Sequence, residues 1–373
     1  MKLTPRKKTE QRTKMSKILY AAGTMEHIRS FHLPYIDALR RDGHEVLTMA
    51  RGKDADFDIS FVKKMFSLKN LACQRKIKKI LKAEKFDAII LNTTLAAFNI
   101  RAALPRRNRP NVINFVHGYM FPAEIKSLKD KIFLFSEKLV RKKTDSIMVM
   151  NEDDYNLAIK YKLCRGDVKM TLGMGAKVPE NATLPPELIY KYHESEGKYI
   201  LCFVGEIYGS KNQRMLICAL PEIKLEIPNA VLWFVGEGAD RQALIALADE
   251  LNLSSSVYFM GRRKNPCDYM RACDLYVSAS KKEGLPFNIM EALGCGKPVI
   301  ASDIKGHRDI IENGKSGVLY PEGDINEFIK AVKSVYSGEI KIDSEDAIER
   351  YKTYSFDNVF EKTYGTMKEL LEK

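Results

Sequence analysis

Residues 199–238, YILCFVGEIYGSKNQRMLICALPEIKLEIPNAVLWFVGEG, decide the fold. An apolar run, Tyr199 to Val204, stops at Gly205, and a second, Val231 to Val235, stops at Gly236. Neither run alternates apolar with polar residues, and a helix-compatible stretch separates them. Strands of that kind are buried on both faces, as in a parallel sheet covered by helices. Downstream, 257–260, 275–279 and 298–301 continue the series. Upstream, the same alternation runs through strand candidates 17–22, 45–50, 86–92, 111–117 and 145–150, with a helix over 25–41 stopped by Gly43. Between 176 and 197 the pattern breaks at a proline-bearing linker. The chain is therefore expected to be α/β, with two doubly wound, Rossmann-like lobes facing each other across a cleft. The expected division is a basic disordered tail over 1–14, a first lobe over 15–180 and a second over 181–355. The C-terminal helix 356–373 is expected to pack back on the first lobe.

The charge is uneven. Residues 1–180 carry 37 Lys+Arg against 19 Asp+Glu, and the remainder 24 against 29. One basic half beside a mildly acidic one points to a single lobe that meets an anionic surface. Within it, 70–85 (NLACQRKIKKILKAEK) reads as a basic amphipathic helix, with Leu71, Ile77, Ile80 and Leu81 set among lysines. The basic N-terminus lacks the apolar core of a secretory signal, and no apolar run is long enough to span a bilayer. The seven cysteines are scattered without zinc or redox spacing. A cytoplasmic protein is expected, peripheral on the inner face of the membrane through its basic lobe.

The chemistry concentrates in Lys281 to Pro298, KKEGLPFNIMEALGCGKP. Gly284 permits a tight turn after a strand, Pro286 suits a first helical turn, and Gly294 and Gly296 end the helix. The amides of residues 284 to 288, Gly284, Leu285 and Phe287 among them, would form an anion site at a helix N-terminus. Glu283 and Glu291 flank it. Carboxylates repel phosphate, so hydroxyls are their natural partners, and a nucleotide sugar offers both groups. By spacing alone, a solvated helix fits equally well.

The run E-G-L-P-F-N-I-M-E-A-L-G-C-G-K-P-V-I-A-S over 283–302 resembles the signature of the retaining GT-B glycosyltransferases of family four. The likeness continues through Ser302-Asp303, Gly306-His307-Arg308-Asp309 and Asn313-Gly314-Lys315-Ser316-Gly317. Upstream it takes in Phe203-Val204-Gly205-Glu206, Lys211-Asn212, Val235-Gly236-Glu237-Gly238 and Gly261-Arg262. Phe31-His32-Leu33-Pro34, His117-Gly118 and Asn151-Glu152-Asp153-Asp154-Tyr155 are similar to the branch that builds capsular and exopolysaccharides. The resemblance implies a donor site in the second lobe, with Gly205, Lys211 and Arg262 on the diphosphate, Glu283 on the transferred sugar and Glu291 on the ribose. Many members carry arginine where this chain has Glu206. His117 would face the donor sugar as a catalytic group, and Gly23, Thr24 and His27 would lie on the acceptor side. The implied donor is a UDP-sugar, and the implied acceptor a lipid-linked or other saccharide.

No cofactor is expected. The six histidines form no i, i+4 ligand pair on a common helix. Lys211 and Arg262 would do the work of a metal ion. Two other readings stay open. A sugar-nucleotide epimerase of the same fold is one. A nucleic-acid-binding protein is the other, although the basic half lacks any recognisable binding signature and nucleic acid is not expected as a partner.

Overall fold

The computed structural model describes residues 15–179 and 197–373. The expected tail at 1–14 and most of the linker lie outside the described residues. The chain divides into two compact units, one of residues 1–148, 157–169 and 366–373, the other of 149–156 and 170–365. Relative to the expected division at 180, the second unit begins earlier, and only the last turns of the C-terminal helix belong to the first.

In the first unit the strands are β1 (Lys17–Thr24), β2 (Glu45–Arg51), β3 (Phe57–Asp58), β4 (Ala88–Asn92), β5 (Asn111–Val116), β6 (Ser146–Val149) and β7 (Val168–Met170). Their order in the sheet is β3-β2-β1-β4-β5-β6-β7. Strand β1 pairs in parallel with β2 on one side and β4 on the other. The helices are α1 (Met25–Phe31), α2 (Leu33–Arg41), α3 (Leu68–Glu84), α4 (Thr94–Ala103), α5 (Leu128–Val140) and α6 (Glu152–Tyr161), the first half of α6 belonging to the second unit.

The second unit repeats the plan. Strands β8 (Tyr199–Val204), β9 (Ala230–Val235), β10 (Val257–Gly261), β11 (Leu275–Ser278), β12 (Val299–Ser302) and β13 (Gly317–Tyr320) lie in the order β10-β9-β8-β11-β12-β13. Its helices are α7 (Gln213–Glu226), α8 (Arg241–Glu250), α9 (Pro266–Ala272), α10 (Phe287–Gly294), α11 (His307–Ile310), α12 (Ile325–Ser337), α13 (Ser344–Tyr354) and α14 (Phe356–Leu371). Both sheets reverse their strand order beside their first strand. That reversal leaves a crevice at the carboxyl ends, between β1 and β4 in one unit and β8 and β11 in the other.

The expected helix over 25–41 is two helices. Pro34, in the first turn of α2, has no N–H to give to the preceding turn, so the ladder breaks at His32. Strands β3, β7 and β13 were not expected, because each is two to four residues long without a marked apolar run. The basic helix α3 packs against the sheet: Ile77 is buried and Ile80 and Leu81 join the core. No described helix is long and apolar enough to cross a membrane.

One buried charge pair ties α4 to α5. The Arg101 guanidinium donates from Nη1 and Nη2 to the two Glu137 carboxylate oxygens, at 2.9 Å each. It also donates to Thr144 Oγ1 (3.1 Å) and the Ala97 carbonyl (2.9 Å). The two side chains are 0% and 3% exposed. Removing one member of such a pair leaves a stranded charge, costing about 3–5 kcal/mol, whereas an apolar pair of similar volume is often neutral. Glu137→Ala should lower unfolding stability by about that amount, and Arg101→Met with Glu137→Leu should recover most of it, as read by urea denaturation.

Candidate active site

In the second unit the loops that follow β8 and β11 meet. The Lys281 N–H donates to the Ser210 carbonyl at 2.8 Å. The Lys211 ammonium, in the loop before α7, lies 2.6 Å from Glu283 Oε1, and both side chains are mostly shielded, at 19% and 12% exposed. Glycines allow this close assembly. A Cβ on Gly306 would sit 2.5 Å from the Gly284 carbonyl oxygen, and one on Gly236 would sit 1.9 Å from that of Gly205. Only backbone without side chains fits at those two contacts.

Helix α10 starts at Phe287 after Pro286, which offers no side-chain cap. Of the nearby side chains, the Asn288 carboxamide donates to the Val204 carbonyl at 2.8 Å, tying the helix start to the end of β8, and its oxygen accepts the Ile289 N–H. The start of α10 carries the partial positive charge of a helix N-terminus, with the Ile289 amide held by Asn288. Leu285 is buried beneath this turn.

Segment 149–156 holds the turn from behind. Asn151 donates to the Gly284 carbonyl (3.1 Å) and to Asp154 (2.8 Å). Asp154, fully buried, takes the Lys305 ammonium at 2.6 Å. Asp309 accepts from the Gly306 and Glu152 N–H groups. His307 is buried; its Nδ1 lies 2.8 Å from the Ser302 carbonyl, and burial lowers its pKa, so it is neutral. These residues position the turn, and sequence reasoning passed over them as site residues, although Asn151–Tyr155 and Gly306–Asp309 stood out in the resemblance.

Glu291, one turn inside α10, has a pKa raised by burial to about 7. Tyr276 places its hydroxyl against the backbone of Val204, and burial pushes its pKa well above the usual tyrosine value. Gly205 closes β8, with its N–H on the Val235 carbonyl at 2.9 Å. Glu206 is exposed. Arg262 is exposed just past β10, with β9 between that strand and β8.

In the first unit, Gly23 and Thr24 end β1, and Thr24 Oγ1 accepts the His27 N–H as the cap of α1. His117 follows β5. The fold brings His27 and His117 together, with ring centroids 5.2 Å apart, and adds His32, which sequence spacing did not connect to them. Burial lowers the pKa of His27 to about 4 and of His117 to about 3, the latter helped by His27, and His32 is also well below its usual value. All three are neutral at pH 7.

Two family models match the chain: one described as Glycosyl transferases group 1, over residues 186–353, and one as Glycosyltransferase Family 4, over 35–170. EpsD of Bacillus subtilis (strain 168), named as a glycosyltransferase, is 30% identical over 332 residues, covering 86% of this chain and 87% of that one. The UDP-Gal:alpha-D-GlcNAc-diphosphoundecaprenol alpha-1,3-galactosyltransferase of Escherichia coli is 26% identical, covering 76% and 73%. Among solved structures, Alr3699/HepE of Anabaena in complex with UDP-glucose has a TM-score of 0.73 at 18% identity, covering 95% of this chain and 100% of that one. That likeness shows the GT-B fold.

The raised pKa of Glu291 has a sign. The folded carboxyl holds its proton up to about pH 7, whereas the unfolded one loses it near 4.5. Its contribution to stability therefore falls as pH rises from about 4.5 through 7, and levels off above. In Glu291→Gln, stability measured by urea midpoint should drop less than in the wild type between pH 5 and pH 8. An unchanged drop would contradict the burial of this carboxyl.

Proposed function

The chain belongs to the group 1 glycosyltransferases and is a transferase; from that premise we propose that it moves a sugar, with retention, from a UDP-sugar to a lipid-linked or other saccharide acceptor in surface-polysaccharide synthesis. The observation that carries this reading is the Lys211–Glu283 pair beside the start of α10, at the strand-order reversal of the second sheet. A nucleoside diphosphate gathers negative charge as it leaves. A lysine and fixed amides aimed at that charge stabilise the transition state more than the ground state. Arg262 is the further cation proposed for the diphosphate.

Glu283 would exchange its lysine partner for hydroxyls of the transferred sugar, while Lys211 turns to the phosphates. Glu291, shielded enough to raise its pKa, suits the ribose hydroxyls. His117 would orient the sugar, and Gly23, Thr24 and His27 would serve the acceptor. The names of the relatives support a UDP-linked donor: one uses UDP-Gal with a diphosphoundecaprenol-linked acceptor, and HepE was solved with UDP-glucose. This chemistry takes its charge stabilisation from protein groups, with no cofactor assigned to the donor site.

A lipid-linked acceptor would require the chain to reach a membrane surface. On α5, Leu128, Ile132, Phe135 and Leu139 are exposed at 40–74%, spaced as one stripe, and Phe66, Leu68 and Leu71 are exposed as well. Lys129, Lys131 and Lys138 lie on the same helix. An apolar stripe flanked by lysines has the form of an interfacial anchor on anionic lipid. Here α5, rather than the packed α3, is the proposed contact.

Thermal stabilisation by UDP-sugars, exceeding that by GDP- or ADP-sugars, is the expected outcome of a donor screen. Lys211→Ala and Glu283→Ala should each lower transfer by at least a hundredfold with the fold intact by circular dichroism; wild-type turnover in both would place the site elsewhere. In flotation with anionic vesicles at low salt, the wild type should rise with the lipid and Phe135→Glu/Leu139→Glu should stay behind. Flotation of both alike would remove α5 from the contact.

A further inference from the structure

Three of the four imidazoles of the first unit, His27, His32 and His117, form a cluster. Nε2 of His32 lies 3.2 Å from Nε2 of His27, and one nitrogen of each of His27, His32 and His117 lies within 4.8 Å of the others. Each of two rings has its second nitrogen engaged from behind. The Tyr20 hydroxyl is 2.8 Å from Nδ1 of His32. Asn92, whose amide donates to the Ala21 carbonyl, turns its oxygen to Nε2 of His117 at 3.2 Å. That oxygen can only accept, so Nε2 of His117 carries the proton and Nδ1 is left with the lone pair.

We propose that His27, His32 and His117 form a binding site for one divalent late transition metal of the Zn²⁺ class, with its fourth position open. The inference shares His117 and His27 with the groups proposed to face the sugars, involves no residue of the second unit, and rests on four observations. Metal–nitrogen bonds of about 2.0–2.1 Å at a tetrahedral ion set ligand nitrogens about 3.3 Å apart. The His27–His32 edge already matches at 3.2 Å, and the third ring needs a shift of at most about 1.5 Å. His27 and His117 are partly buried, whereas His32 is fully buried and hydrogen-bonded to Tyr20.

Secondly, a ligating histidine ordinarily gives its other N–H to an oxygen partner, which sets the tautomer and ring orientation. Tyr20 and Asn92 stand in that role. Thirdly, burial and the neighbouring imidazoles set the electrostatics of the three rings, and keep them neutral. Three neutral nitrogens suit Zn²⁺ and its late neighbours and discriminate against Mg²⁺ and Ca²⁺, which prefer oxygen. Fourthly, the cluster lies at the carboxyl ends of β1 and β5, beside the strand-order reversal, where ligands of such sheets bind. There the open position would take water or the hydroxyl of a bound ligand and make its proton more acidic. Thr93, which follows β4 at the same reversal, holds positive φ (65°), and its buried Oγ1 has no hydrogen-bond partner. Strain and an orphaned hydroxyl are features that collect at functional sites.

The test uses the full chain, stripped with chelator, without nucleotide sugar, and titrated with Co²⁺ and then Zn²⁺. The expected result is one equivalent of Co²⁺ bound with the intense visible absorption of a tetrahedral site, bleached by Zn²⁺ and unaffected by equimolar Mg²⁺. His27→Ala, at a partly exposed position, should lose the spectrum. Tyr20→Phe and Asn92→Ala should weaken Zn²⁺ binding roughly 10–100-fold. A wild type that binds no Co²⁺ in tetrahedral form, or a folded His27→Ala with wild-type affinity, overturns the assignment. UDP binding measured on the same stripped protein reports separately on the donor site, so failure of one reading is distinguishable from failure of the other.

Discussion

The constraint on which everything else depends is the reversal of strand order in each parallel sheet. Connections on either side of the reversal leave on opposite faces, so no helix covers the carboxyl ends there. Backbone amides and polar side chains can then face a ligand without being buried against protein. Each unit has filled that one opening differently. The second unit places a lysine–glutamate pair and a helix start at β8 and β11; the first places three neutral histidines at β1 and β5.

These two openings have opposite electrostatic characters. At the second sheet, opposite charges are brought to 2.6 Å and compensate each other, so a ligand that carries its own negative charge and its own hydroxyls can replace both partners. Glu291 shows the cost of leaving a carboxyl nearby without such compensation, since burial raises its pKa to about 7. At the first sheet, burial removes charge altogether and leaves lone pairs. The cohesion of the fold comes from the apolar faces of the sheets. Polar groups kept at the sheet ends against that background are the signature of function rather than of packing.

Much of the plan was legible in the sequence, for a physical reason. Strands buried on both faces must be continuously apolar, so β8 and β9 stand out as YILCFV and AVLWFV, and their glycine terminators mark the ligand end. Edge strands such as β3 and β7 need no such run and were not visible. The pairing of Lys211 with Glu283 was beyond reach because it joins residues 72 apart through two loops. The histidine cluster was hidden for a similar reason. His27 and His32 are five residues apart, which is not a ligand spacing on a continuous helix, and His117 comes from the end of β5. The role of Asn151 and Asp154 in the second unit was likewise out of sight, since nothing local says that residues 149–156 leave the unit that precedes them in the chain.

The account stands or falls on where a nucleoside diphosphate binds. Amide hydrogen exchange of the whole protein, compared with and without saturating UDP, addresses that directly, because amides that hold phosphate oxygens are protected where they lie. Slowed exchange at residues 284–288 and in the loop from Gly205 to Asn212 is the predicted result. Protection confined to other segments, with these two loops exchanging as in the free protein, would contradict it.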